Sequence, residues 1–343
     1  MRQSLDIICV VLLLASCAFQ ARPQQLSQNL PVSSESSHSS SSVSSKDGAY
    51  IFAVPPELSI QSFQEMRLEA SDFLLEKVLA EYDAYTRYAI SYVSNGLRIT
   101  GILNVPKGVG PFPLLLLNHG YIHPKIYTQG RGLKREQDYF ARNGFAVLHS
   151  DYRGHAGSDE SPDTRKIYDA GLEYSMDVVN GLQAIRSAAI PGIDADYVGM
   201  LGHSMGGGIA LNIAVAYPEL IDAIVLYAPV NSNSWNNFDR WRRERDDDDR
   251  TEEVFGTYEE HPELWDALSS QTYLHRIQTP ILIFHGDKDK DVPKVWSDDL
   301  VLMLQDLGKN ITYVEYPAEG HEFATQWSDF MKRSREFFAE RLK

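Results

Sequence analysis

From Pro113 onward, short solid apolar runs alternate with helix-length stretches, and this alternation limits the fold more than any other feature of the chain. Residues 113–117 read Pro-Leu-Leu-Leu-Leu, too short for a helix and suited to a strand buried on both faces. Comparable runs recur at 145–149, 197–202, 223–227, 281–284 and 311–316, with helical patterns over 133–143, 171–188, 205–216, 295–306 and 323–341. Such a sequence predicts a mainly parallel sheet with helices on both faces. Ahead of it, β-rich runs at 86–93 and 97–105 flank Ser94-Asn95-Gly96, a hairpin signal. Together these make an eight-stranded sheet. Residues 58–68 suggest a short helix, and 73–79 fit either a strand or a second helix. No internal repeat is visible.

The chain has 343 residues, 43% of them hydrophobic, enough for one large core. Its formal net charge of -15 excludes nucleic acid and anionic lipid as main partners, because little of the surface could neutralise phosphates. The two cysteines, Cys9 and Cys17, both lie in the first segment, so the folded part holds no disulfide and no thiolate metal site. That segment reads as an export signal: Arg2 precedes an apolar run over 7–15, too short to cross a bilayer, which takes about 20 apolar residues. It ends in Leu14-Ala15-Ser16-Cys17, which resembles the bacterial lipobox, where cleavage precedes a cysteine that carries lipid. Ordinary cleavage after Ala18 is the other reading. The expected organisation is a signal peptide over 1–17, a serine-rich tether over 18–48, an N-terminal extension over 49–84 and a main domain over 85–343. The protein is then exported, lipid-anchored through Cys17 or else secreted or periplasmic. Asn310-Ile311-Thr312 forms a glycosylation sequon that matters only in a eukaryotic secretory pathway.

Within the main domain, residues 231–277 interrupt the alternation. They carry Trp235, Phe238 and Trp241, then a charged run from Arg242 to Arg250. The charges fit a solvated face. The aromatics either line a lid over a site or pack the insertion's own small core. Trp235 and Trp241 are therefore candidates for the wall of a pocket, as is His119.

The chemistry concentrates at Gly202-His203-Ser204-Met205-Gly206, a G-x-S-x-G placed between a strand and a helix. That context lifts the serine on a tight, strained turn whose neighbours must lack bulk. Ser204 is the candidate nucleophile. A serine hydroxyl needs a base, and Gly320-His321-Glu322-Phe323, after the last strand, supplies His321. His203 is expected to pack locally, and His285 and His119 to support loops. The acid should follow the strand over 281–284, where Asp287, Asp289 and Asp291 are equivalent from the residues alone. Those acids do not form a calcium loop, since Val292 stands where the turn needs glycine. An oxyanion would be held by the Met205 amide and by the Tyr121 amide in Asn118-His119-Gly120-Tyr121.

These residues together resemble the prolyl oligopeptidase catalytic domain and its α/β-hydrolase relatives, from about residue 85 to the C-terminus. The likeness rests on Leu117-Asn118-His119-Gly120-Tyr121, Asp151-Tyr152-Arg153-Gly154 with Gly157-Ser158, Gly202-His203-Ser204-Met205-Gly206-Gly207, His285-Gly286 with Asp289 and Val292-Pro293, and Gly320-His321. It implies an α/β-hydrolase fold with a lid-like insertion, and it places the acid at Asp289. The implied activity is cleavage of an ester or amide through an acyl-enzyme, on a small-molecule ester or short peptide, with no metal or organic cofactor. Family members of the full type carry a β-propeller before this domain, and residues 49–84 are too few for one, which favours an esterase over an oligopeptidase. A non-catalytic binding module is the remaining class, and a dehalogenase would carry Asp in place of Ser204.

Overall fold

The computed structural model describes residues 58–163, 165–243 and 248–343. The export signal, Cys17 and the tether lie outside the described residues. The elements run in order as α1 (Ile60–Glu65), β1 (Ala70–Glu81), β2 (Tyr85–Ser94), β3 (Leu97–Pro106), β4 (Phe112–Asn118), α2 (Lys134–Arg142), β5 (Ala146–Ser150), α3 (Leu172–Ala188), β6 (Ile193–His203), α4 (Met205–Ala216) and β7 (Ala223–Tyr227). The insertion follows as α5 (Ser234–Trp241), α6 (Thr251–Phe255), α7 (Pro262–Leu268) and a 3-10 turn. The chain then completes β8 (Ile281–Gly286), α8 (Lys294–Asp306), β9 (Ile311–Tyr316) and α9 (Trp327–Arg341). No helix among the described residues is long and apolar enough to cross a membrane.

All eight expected strands form. Residues 73–79, open between strand and helix in the sequence, lie in a ninth strand, β1. The sheet order is β1-β2-β3-β5-β4-β6-β7-β8-β9, antiparallel as far as the β3–β5 pair and parallel from β5 to β9. The Asn95-Gly96 turn has φ of 45° and 83°, the left-handed pair a two-residue hairpin needs. β1 pairs with β2 along its length, so this part of the N-terminal extension belongs to the same sheet.

The parallel strands show why solid apolar runs were necessary. Leu114 and Leu116 face a core shared with α3 and α4, while Leu115 and Leu117 face one shared with α2 and α9. Ile224 and Leu226 divide from Val225 and Tyr227 in the same way. Alternate side chains point to opposite faces, and both faces are covered. β4 and β6 are neighbours from which the chain adds strands in opposite directions. The crevice outside the carboxyl ends of such a pair is where ligands bind in open α/β sheets. Asn118 and His203 end those two strands.

Candidate active site

Ser204 sits between β6 and α4 with φ 55° and ψ -120°, a backbone that a side-chain-bearing residue adopts only at a cost of about 1–3 kcal/mol. The surroundings hold it there. Its N–H donates to Tyr227 O at 3.0 Å, and its carbonyl accepts from Gly207 N–H at 2.8 Å and Val230 N–H at 3.1 Å. The two motif glycines are needed for space. A Cβ on Gly202 would run into the carbonyl of Gly206, and one on Gly206 into the carbonyl of Asn118. α4 begins at Met205, whose N–H is among those an α-helix leaves unpaired. Gly120 packs directly on Ser204, with room of only 3.0 Å between a Cβ there and the Ser204 Cβ. Tyr121, the next residue, lines the same cleft as Ser204.

The loop after β9 carries His321 and the loop after β8 carries Asp289. The His321 ring nitrogen Nδ1 meets Asp289 Oδ2 at 2.8 Å, leaving Nε2 for other work. Of the three aspartates that the residues alone left open, Asp289 is the one bonded to His321. Asp287 instead caps the turn at the Ala318 N–H, at 2.7 Å. The Asp289 side chain has no exposed surface. Burial alone would push its pKa up. Hydrogen bonds from His285 and His321, the charge His321 can carry and the Val292 N–H outweigh that, holding the carboxyl well below the usual carboxylate range. It therefore stays ionised and fixes the tautomer and tilt of the imidazole. Asp289, Asp291 and His321 bring ligand atoms within 4.8 Å of one another, but the Asp289–His321 bond already occupies two of them.

Several residues support this arrangement, His203 through the local packing expected of it. His203 stacks on Tyr227 at 4.2 Å and on His321 at 4.6 Å, and its Nε2 lies 3.2 Å from the His321 carbonyl. Burial pushes its pKa down to about 3, so it is a neutral wall beside the His321 ring. Glu319 accepts from the N–H groups of Ala324 and Gln326 and ties down the His321 loop. Asp151 accepts from Thr100 at 2.6 Å, Tyr127 at 2.8 Å and the Gly130 N–H at 2.7 Å, which anchors the segment after β4. Arg153 forms a buried pair with Asp177, at 2.8 and 3.0 Å, and reaches Glu173 at 2.9 Å. Asp151 and Arg153 entered the sequence reading only as part of a resemblance. Their partners are 20 to 50 residues away, so no local pattern could reveal the contacts.

Two spaces lie beside this turn, and Ser204 lines the first of them. A cleft of about 420 Å³ is lined by Ser204, His321, His203, Tyr121 and the 131–136 segment. A second cavity of about 620 Å³ is lined by Tyr121, Met205, Ile209, Val230 and the start of the insertion. The three residues expected on a pocket wall are elsewhere. His119 is fully buried below the loop, stacked on Tyr152 at 4.3 Å and Tyr127 at 4.9 Å, with Nδ1 2.7 Å from the Gly120 carbonyl. Trp235 packs against Trp265 at 4.9 Å, beside Phe238, where the insertion joins the main core. Trp241 meets Trp296 edge-on at 5.4 Å. The insertion does reach the second cavity, but through polar residues: Asn231, Ser234, Asn237 and Arg242.

Residues 132–343, more than half the chain, match the family model described as the prolyl oligopeptidase family. The chain belongs to the prolyl oligopeptidase family. Among curated relatives, this family member is 27% identical over 256 residues to the "Uncharacterized peptidase YtmA" of Bacillus subtilis, covering 71% of this chain and 93% of that protein. It is 26% identical over 262 residues to the "Uncharacterized peptidase YuxL" of the same organism, covering 73% of this chain but 37% of that protein. Among solved structures it resembles the acylaminoacyl peptidase of Pyrococcus horikoshii, with a TM-score of 0.63, 23% identity and coverage of 76% of this chain and 42% of that one. It also resembles acetyl xylan esterase 1 of Thermoanaerobacterium, with a TM-score of 0.57, 19% identity and coverage of 82% and 90%. These two structural likenesses establish the α/β-hydrolase fold. The chain thus spans about two fifths of the peptidase and nearly all of the esterase.

Proposed function

We propose that this member of the prolyl oligopeptidase family is a serine hydrolase acting as an esterase or general acyl hydrolase. The observation that carries the proposal is the strained Ser204 at the mouth of a cleft that also holds His321, itself bonded to a buried Asp289. In the first step His321 Nε2 takes the Ser204 proton while Oγ bonds to the substrate carbonyl carbon. The carbonyl π electrons move to oxygen, held by the amides of Met205 and Tyr121. Collapse of this intermediate expels the alcohol or amine, which receives the proton from His321. Water then repeats the sequence on the acyl-enzyme, returning Ser204 and releasing the acid.

Cleavage of peptide bonds is the second reading, favoured by the likeness to YtmA along nearly its whole length. Ester cleavage is supported by the shape of the site: the cleft beside Ser204 is open to solvent along Tyr121, which is two thirds exposed. Parallel assays with p-nitrophenyl acyl esters and with prolyl and alanyl anilides separate the two. Turnover of esters with none of anilides is expected, and efficient anilide turnover would transfer the assignment to peptidase. The same proposal places the protein outside the cytoplasm, anchored through Cys17. Mass analysis of the mature N-terminus is expected to show a diacylated Cys17, and a free N-terminus at Phe19 would contradict it.

A further inference from the structure

Charge divides the two spaces around Ser204 unequally. The second cavity has four cations on its wall, and each has a carboxylate partner: Arg153 with Asp177, Arg165 with Asp163, Lys166 with Asp248 and Arg242 with Asp249. The first cleft has three, Arg131, Lys134 and Arg135. Arg131 donates to the Ile126 carbonyl at 2.6 Å and has no carboxylate partner among the described residues. Lys134 likewise has none. Arg135 stands 3.8 Å from Glu136, donates to the Phe323 carbonyl and lies over the Trp327 ring. The carboxyl groups on the same cleft are Glu136 and Glu322. Glu136 is buried, accepts from the Trp327 indole N–H at 2.7 Å and is pushed by burial towards its neutral form. α2 also starts at Lys134 without a side-chain cap, so its positive end adds to the same field. Even with the exposed Glu322 on the same cleft, three cations beside the reacting serine in a chain of net charge -15 are out of balance with the rest of the surface.

The chemistry says which part of a substrate meets this field. His321 must give its proton to the departing atom, and His321 lines the first cleft but not the second cavity. The leaving group therefore occupies the first cleft, which Ser204 and His321 both line. We propose that the first cleft is an anion-reading subsite: the leaving group of the natural substrate carries a carboxylate or other anionic group, and Arg131 and Lys134 select it. This rests on the hydrolase reading for the direction of the substrate, but the charge preference itself is measurable without turnover.

The experiment uses the full chain with Ser204→Ala, so that esters stay intact, and titrates it by calorimetry with 4-acetoxybenzoate and with its methyl ester at low ionic strength. The anion is expected to bind about fivefold more tightly, the scale of one or two solvent-exposed charge pairs. That advantage should vanish in the Arg131→Gln/Lys134→Gln variant and shrink in high salt. Lys134→Gln alone, at an exposed position, should remove part of it if the double variant folds poorly. Equal affinities, or a preference that survives both substitutions, would overturn the inference. Charge-selective binding together with an inert Ser204 protein would uphold the anion site and count against the hydrolase instead.

Discussion

The two sides of Ser204 are built differently. On the His321 side, the functional groups come from loops at the ends of β6, β8 and β9, and each is fixed by short hydrogen bonds: Asp289 to His321, His285 to Asp289, Glu319 to the His321 loop. On the other side, the wall comes from α3, α4, the segments before them and part of the insertion, whose aromatics Trp235, Phe238, Phe255 and Trp265 join the main core, and it presents amides, hydroxyls and paired charges to the cavity. The groups expected to do chemistry stand on loops at the ends of sheet strands, and the insertion contributes polar residues to the second cavity. A substitution on the first side should therefore change the rate of bond breaking, and one on the second should change which substrate is accepted or how stable the insertion is.

The sharpest way to break this contrast is Ser204→Ala, expected to lower kcat by about 10⁶-fold with the fold intact. Asp289→Asn comes next. It removes the charge that orients His321 and should cost about 10⁴-fold in kcat with little change in KM. If Asp289→Asn raised KM and spared kcat, the assignment of that side to chemistry would fail. Arg153→Met tests the border between the two regions. It leaves Asp177, fully buried, without its partner, and should destabilise by about 3–5 kcal/mol in urea unfolding.

The order of legibility follows the same divide. The sheet, its hairpin and the five helix positions of the alternating region were readable because backbone periodicity and buried-strand composition act locally, and α4 begins at Met205 as its glycine-flanked start implies. Ser204 and His321 were singled out because the fold demands a nucleophile after one strand and a base after another, and the structure brings both to one cleft. The choice of Asp289 came from resemblance, since the alternating aspartates obey the same local rules and differ only in a contact made 32 residues away. His119, Trp235 and Trp241 were placed on a pocket wall because large or polar side chains near a site suggest contact. The structure puts His119 under Tyr152 and each tryptophan against another tryptophan, where packing and not substrate explains them. β1 was ambiguous because, as an edge strand, it exposes Leu74, Leu75, Val78 and Leu79 and lacks a clean alternation.

A pH experiment sharpens the comparison further. His119 and His203 both support the chemical side, and burial holds each down to about 3 from an ordinary 6.5. They are neutral in the folded protein and take up protons when it unfolds below 6.5. Their stabilising contribution is whole above 6.5 and is lost as pH falls towards 3, at up to about 1.4 kcal/mol per pH unit for each. Urea midpoints measured between these limits should fall with pH, and His203→Gln should flatten the slope. A slope unchanged by that substitution would mean His203 titrates freely. The smallest expected effect is Trp241→Ala, which removes a half-exposed contact with Trp296 and should leave kcat/KM unchanged while costing about 0.5–1 kcal/mol. A clear loss in kcat/KM would return Trp241 to the substrate wall.

Labelling with a fluorophosphonate, followed by mass mapping of the modified peptide, addresses the nucleophile directly. The probe should attach to Ser204, and His321→Ala should abolish the reaction while the protein stays folded. A folded protein that remains unlabelled, or one labelled at another serine, would contradict the account.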